Sequence, residues 1–130
     1  MSSPAKSRTE TETDVQVAEA TAILEDSYVY VHCYFDSPAE GTLIRIWKTT
    51  FLVDKSSGAK SGLVHAENIS FAPQWTVIPA KSTFHFLLIF SGLPKSCQRF
   101  DFVEEISQPG GFRVNNIARN EQDVYHLTIV

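Results

Sequence analysis

The sequence predicts an all-β domain, an antiparallel β-sandwich of seven or eight strands with at most one short helical turn. Three observations lead there. Aromatic residues make up 12% of the 130 positions, nine of them Phe, and large flat side chains pack well on a pleated surface. Apolar and polar residues alternate with period two along most of the chain, which places one set of side chains on each face of a strand. Turn residues recur about every 8–12 positions, the usual spacing of a sandwich or barrel.

Residues 1–14 are mostly Ser, Thr, Glu and Lys with no apolar periodicity. That composition cannot offset the entropy of ordering, so they read as a disordered tail. Residues 15–130 read as a single domain, within the common size range of about 100–150 residues. The segment 15–24 alternates with low contrast between its faces, and Glu25 and Asp26 mark a turn. Residues 27–35 (SYVYVHCYF) form the clearest strand. Val29, Val31, Cys33 and Phe35 share the face expected to meet the core; Tyr28, Tyr30, His32 and Tyr34 share the other. The turn DSPAEG at 36–41 combines Pro, Gly and Asp. Residues 42–54 (TLIRIWKTTFLVD) follow as a long strand with a bulge or bend near 48–50, and the loop KSSGAK leads to a weaker strand at 61–66. Pro73 and Pro79 exclude a central strand from 67–80. Residues 83–90 (TFHFLLIF) are almost continuously apolar, as in a central strand buried on both faces. Strands at 100–106, 112–117 and 123–130 complete the set, with a helical turn conceivable only at 114–122 or 67–71.

Charge and motifs exclude more than they assign. The formal charge is −4 and the eleven Lys and Arg are scattered, which argues against nucleic acid as a partner. No apolar run approaches the roughly 20 residues that span a bilayer, so a membrane is not expected either. Residues 1–14 lack the apolar centre of a secretory signal. The chain as written therefore reads as cytoplasmic, and as exported if a signal has been removed.

Cys33, Trp47 and Cys97 follow the Cys…Trp…Cys order of antibody domains. Cys97, however, sits after the turn sequence LPKS rather than on a strand, so Cys33 reads as a small buried hydrophobe and Cys97 as a loop thiol. His32, His65, His85 and His126 are far apart, without the short ligand spacings of zinc sites. Each reads as an isolated strand histidine, although adjacent strands could bring two together. Asp101, Glu104 and Glu105 are the densest acidic cluster. On a strand Asp101 and Glu105 share a face and Glu104 takes the other, which suits a solvated edge better than paired catalysis. There is no G-x-S-x-G elbow, G-x-G-x-x-G loop or Walker loop. The expectation is no catalytic residue, no cofactor and no metal ligand set. The candidate interaction surface is aromatic: Trp75, in a Pro-bounded loop, with Tyr28, Tyr30 and Tyr34 along one strand face. The competing expectation for Trp75 is a plug at the open end of the core.

The stretch FLVDKSSGAKSGL, then STFHFLLIFSGLPKSCQRFDFVEE, then GFRVNNI resembles a pattern in uncharacterised β-sandwich proteins of Bacteroidetes. The matching residues are Leu52, Val53, Asp54 and Gly58; Phe86, Leu88, Phe90, Leu93 and Pro94; Phe100, Asp101 and Glu104; Phe112 and Ile117. The resemblance spans about residues 50–117. It implies an immunoglobulin-like sandwich and an exported protein, and it carries over no activity and no functional residue. The function expected is a non-enzymatic binding or interaction module acting on a protein partner or as a homodimer. The alternative is a small-molecule or carbohydrate-binding or -processing domain with its site in an aromatic-lined cleft, and a third reading is a purely structural accessory module.

Overall fold

The computed structural model describes residues 27–107 and 110–129. The disordered tail expected at 1–14 and the strand and turn expected at 15–26 lie outside them. Among the described residues the fold is all-β, with nine strands and no helix. They are β1 Tyr28–Asp36, β2 Thr42–Ile44, β3 Thr50–Asp54, β4 Lys60–Glu67, β5 Thr76–Ile78, β6 Thr83–Ser91, β7 Arg99–Glu104, β8 Arg113–Ala118 and β9 Val124–Ile129.

Seven strands form one hydrogen-bonded sheet in the order β9-β1-β6-β4-β3-β7-β8, and β2 pairs with β5 in a small second sheet. The large sheet turns a corner at β4. Its first residues, Lys60 to Gly62, pair with β3. From Leu63 onward the strand pairs with β6 instead, with an irregularity between Leu63 and His65. A strand that changes partner at a bulge is how two sheet faces meet at a corner around one core. The terminal strands β8 and β9 come back within 8 Å of each other, Cα to Cα, so the sheet is close to a closed barrel.

The core forms where the two faces meet. Val29, Val31 and Cys33 of β1 and Phe86, Leu88 and Phe90 of β6 are fully buried from one side, and Leu52, Phe100 and Phe102 from the other. Phe90 meets Phe102 edge to face at 6.1 Å, and Phe100 meets Tyr125 of β9 in the same way at 4.9 Å, the arrangement that ring quadrupoles favour.

Several expectations are corrected. The sheet is mixed: β9 runs parallel to β1, where an antiparallel arrangement was expected, and the described residues alone form nine strands rather than seven or eight. The long strand expected at 42–54 divides into β2 and β3. The Thr50 hydroxyl donates to the Trp47 carbonyl at 2.6 Å and the Trp47 N–H donates to Glu104 at 3.0 Å, a turn in place of a ladder. β6 is buried on one face only, since His85 is exposed and Leu87 and Ile89 are half-buried. β7 is no edge: it lies between β3 and β8, and both Asp101 and Glu104 are buried. Asp101 is held there by the Asn116 N–H at 2.7 Å and by Lys55 at 3.4 Å, so only Glu105 keeps the solvated role. Both helical turns considered are absent: 114–118 is strand, and 68–70 is irregular backbone between the end of β4 and the Ile46–Phe71 bridge. Cys97 is a loop thiol as expected, though a buried one, and both cysteines are free. Burial pushes the Cys33 thiol up to about 12, which removes it as a nucleophile near neutrality.

One polar clamp fastens the β8–β9 connection. Arg119 grips Asp123 through two nitrogens at 2.6 and 2.9 Å and donates to the Pro94 and Cys97 carbonyls at 2.8 and 3.2 Å. The Tyr125 hydroxyl donates to Asp123 and accepts the Asn120 N–H, both at 2.9 Å. Burial, with Asp123 beside it, pushes that phenol up to about 12. Asp123 has φ of 57°, a conformation that Asn also tolerates. Asp123→Asn therefore isolates the charge and bonding from the backbone. Charge-assisted bonds of this kind contribute about 1.5–3 kcal/mol, and urea unfolding should show a stability loss of that order. An unchanged midpoint would mean that the clamp is decorative.

Candidate functional site

Two surfaces gather chemistry, and the expected interaction residues divide between them. The first is built on β2, β5 and the turn between β2 and β3. Along residues 43–47, alternation buries Ile44 and Ile46 and turns Leu43, Arg45 and Trp47 outward. Leu43 faces Val77 directly across the β2–β5 ladder. These two are 50% and 72% exposed, and Trp75, just before β5, is 51% exposed. Trp75 is therefore no plug in the core. It stacks on the Arg45 guanidinium, which sits 3.8 Å from the Trp75 ring centre and 5.2 Å from that of Trp47. Such contacts hold a cation over an electron-rich ring. Arg45 also donates to the Pro73 carbonyl at 3.1 Å.

This stack separates two clefts. One, of about 300 Å³, is lined by Arg45, Trp47, Lys48, Thr49, Ala72 and Pro73. The other, of about 200 Å³, is bounded by Trp47, Trp75, Arg45, Phe112 and Glu104 among others. The Glu104 carboxylate is already committed, accepting the N–H groups of Trp47 and Phe112 at 3.0 and 3.1 Å. Burial is the main cause of its raised pKa. It works as a brace between β7 and the β2–β3 turn. The larger cleft thus has two cations and no carboxylate in its lining.

The second surface is the outer face of the four strands β9, β1, β6 and β4. Since Val29, Val31 and Cys33 point inward, Tyr28, Tyr30, His32 and Tyr34 point outward, with Tyr28 47% and Tyr30 37% exposed. Pairing then assembles what the sequence scatters. His126 is the direct register partner of His32 on the parallel strand β9, and His85 on β6 is the partner of Tyr34. The His32 ring stacks on His126 at 4.8 Å and on His85 at 5.0 Å. Nδ1 of His32 and Nε2 of His85 lie 2.8 Å apart, and the Tyr34 hydroxyl is 2.9 Å from Nδ1 of His126. His65 of β4, paired with Ile89, points to the same side and bonds Glu67 at 3.3 Å. All four histidines of the chain thus share one sheet face. Desolvation, then the charges of His126 and His85, lower the pKa of His32. Among the described residues no three His, Cys, Asp or Glu form a metal-holding group as they stand.

Comparison of the chain with protein-family models, with curated proteins and with solved structures gives no match. No helix among the described residues is long and apolar enough to cross a membrane.

Sequence reasoning placed the tyrosines on one face of β1 but passed over Arg45 and the exposed pair Leu43 and Val77. The parity of Leu43, Arg45 and Trp47 against Ile44 and Ile46 was the available signal. The histidine array had only the outward parity of each ring as its signal, because the strand order that joins them is not written locally.

The lowered pKa of His32 fixes a sign. A group that binds protons more weakly folded than unfolded gives stability that is present above its unfolded value and lost on acidification. In a chelating buffer the wild type should lose more stability between about pH 7.5 and 5.5 than His32→Gln does, measured by urea unfolding at each pH. Parallel pH curves for the two proteins would contradict the reading.

Proposed function

We propose that this chain is a non-enzymatic binding module that takes an extended protein segment on the β2–β5 surface. The observation that carries this reading is the cluster of Leu43, Val77 and Trp75, three large apolar side chains at least half exposed on one two-stranded sheet and the residue leading into it. Contiguous apolar exposure of that kind marks interaction sites. The neighbouring cleft supplies the polar half of the recognition: Arg45 and Lys48 in a lining without a carboxylate favour an acidic group on the partner, and Arg on an indole is the kind of anchor that dominates interfaces. β2 and β5 pair only with each other among the described strands, and addition of a peptide strand is the mode by which such a pair would be extended. An immunoglobulin-like ancestry fits a sandwich-like core with recognition at its margin, and belongs to the same proposal.

The aromatic cleft also supports a second reading, a small-molecule or carbohydrate site. Its volume of about 300 Å³ is at the lower end of ligand pockets, and a planar or sugar-like anion between Trp47 and Lys48 would suit it.

Panning a displayed peptide library against the folded chain tests both. Enriched peptides should pair an acidic with an apolar residue, and Arg45→Ala or Trp75→Ala should weaken them about tenfold or more, as at interface hot spots. Peptides that bind Trp75→Ala as well as wild type would reject the module reading. A thermal upshift with sugar acids, lost in Arg45→Ala, would favour the second.

A further inference from the structure

We propose that His32, His85 and His126, with the Tyr34 phenol beside them, bind a divalent transition ion of the Cu²⁺ and Zn²⁺ class on the outer face of the sheet. This site is independent of the β2–β5 surface, and neither proposal requires the other.

The geometry begins with His32 and His85. Two nitrogens bound to one metal at about 2.0 Å and at right angles lie about 2.8 Å apart. His32 Nδ1 and His85 Nε2 have that separation. Their ring centres are 5.0 Å apart, so the two nitrogens face each other nearly head-on and both rings must swivel to aim their lone pairs at one ion. The 2.8 Å separation also accommodates an N–H···N hydrogen bond between a donor and an acceptor imidazole. A metal replaces that bond when the donor imidazole shifts its proton to its other ring nitrogen, so that both facing nitrogens present lone pairs to the ion. That swivel needs no backbone change, because His32 and His85 are diagonal neighbours on adjacent strands, His32 opposite Leu87 and His85 opposite Tyr34, within reach of long side chains.

His126 supplies the third ligand. Its ring is parallel to that of His32 within 10° and exposed, so the three donors do not converge on a centre as they stand. Exposed side chains change rotamer in picoseconds to nanoseconds, and rotation of His126 brings Nε2 toward the pair. Tyr34 prepares this rearrangement. When the phenol oxygen accepts the Nδ1–H of His126, the lone pair is left on Nε2, the outer-shell arrangement that orients metal-bound imidazoles. Imidazole suits Cu²⁺ and Zn²⁺, and a given nitrogen donor set holds Cu²⁺ more strongly than Zn²⁺, so Cu²⁺ should bind more tightly. His65 does not join them: it lies on β4 beside Ile89 and is engaged with Glu67.

Isothermal titration of the untagged chain with Cu²⁺ and with Zn²⁺ tests the site, with Cu²⁺ electron paramagnetic resonance as a second readout. One saturable ion per chain and a spectrum with at least two nitrogen ligands are expected. His32→Ala and His85→Ala should each weaken binding about tenfold or more, His126→Ala should weaken it by a smaller factor, and His65→Ala should leave it unchanged. Unfolding midpoints in chelator confirm that each variant folds, and His32→Gln and His85→Gln replace any that does not. No saturable binding, binding that survives His32→Ala, or an equal loss with His65→Ala would overturn the proposal.

Discussion

The register between β1 and β6 is the constraint on which both the interior and the outer surface depend. Val29 opposite Phe90, Val31 opposite Leu88 and Cys33 opposite Phe86 place six apolar side chains on one side of the ladder, and all six are fully buried. Burying a side chain of this size stabilises by about 1.5–3 kcal/mol, so the aligned pairs outweigh any single polar contact in the fold. A slip of one residue would send the tyrosines and histidines inward and the valines to solvent. The same pairing that builds the core therefore forces His32, Tyr34 and His85 together outside it. The parallel addition of β9 brings His126 to them.

A curled sheet has a second consequence, felt at its margins. The corner at β4 and the Arg119–Asp123 clamp bring β8 and β9 close. β2 and β5 are left outside the large sheet. Their inner residues Ile44 and Ile78, with Ile46 just past β2, close the core and are buried. Short strands with one face in the core expose the other face by necessity. Here that face carries Leu43, Val77 and the Arg45–Trp75 stack rather than an ordinary polar coat. Glu104 links this margin to the interior, since its buried carboxylate holds the Trp47 and Phe112 backbones at once.

What the sequence shows directly is whatever depends on neighbours along the chain. The alternation of 27–35 is local, and the inward set Val29, Val31 and Cys33 follows from it. The prolines at 73 and 79 bracket β5 and keep it short. The run TFHFLLIF hides its own period, because Leu87 and Ile89 on the outer face are as apolar as Leu88 and Phe90 on the inner one. Only His85 breaks the run, and it marks the outward parity correctly. Asp101 was misplaced because its burial depends on β8 lying alongside, a pairing between distant segments. The histidine array was invisible for the same reason: 32, 85 and 126 meet only after β9, β1 and β6 are ordered in space. Trp75 was singled out as an aromatic in a loop, but its guanidinium partner Arg45 comes from another strand.

The central claim is that one register places the core residues and the histidines on opposite faces. Nuclear Overhauser contacts of the His32 ring in the folded chain test it most directly. The account predicts contacts from that ring to the rings of His85 and His126, and none to Phe86 or Phe90. Contacts from His32 to either phenylalanine, or to neither histidine, would contradict it.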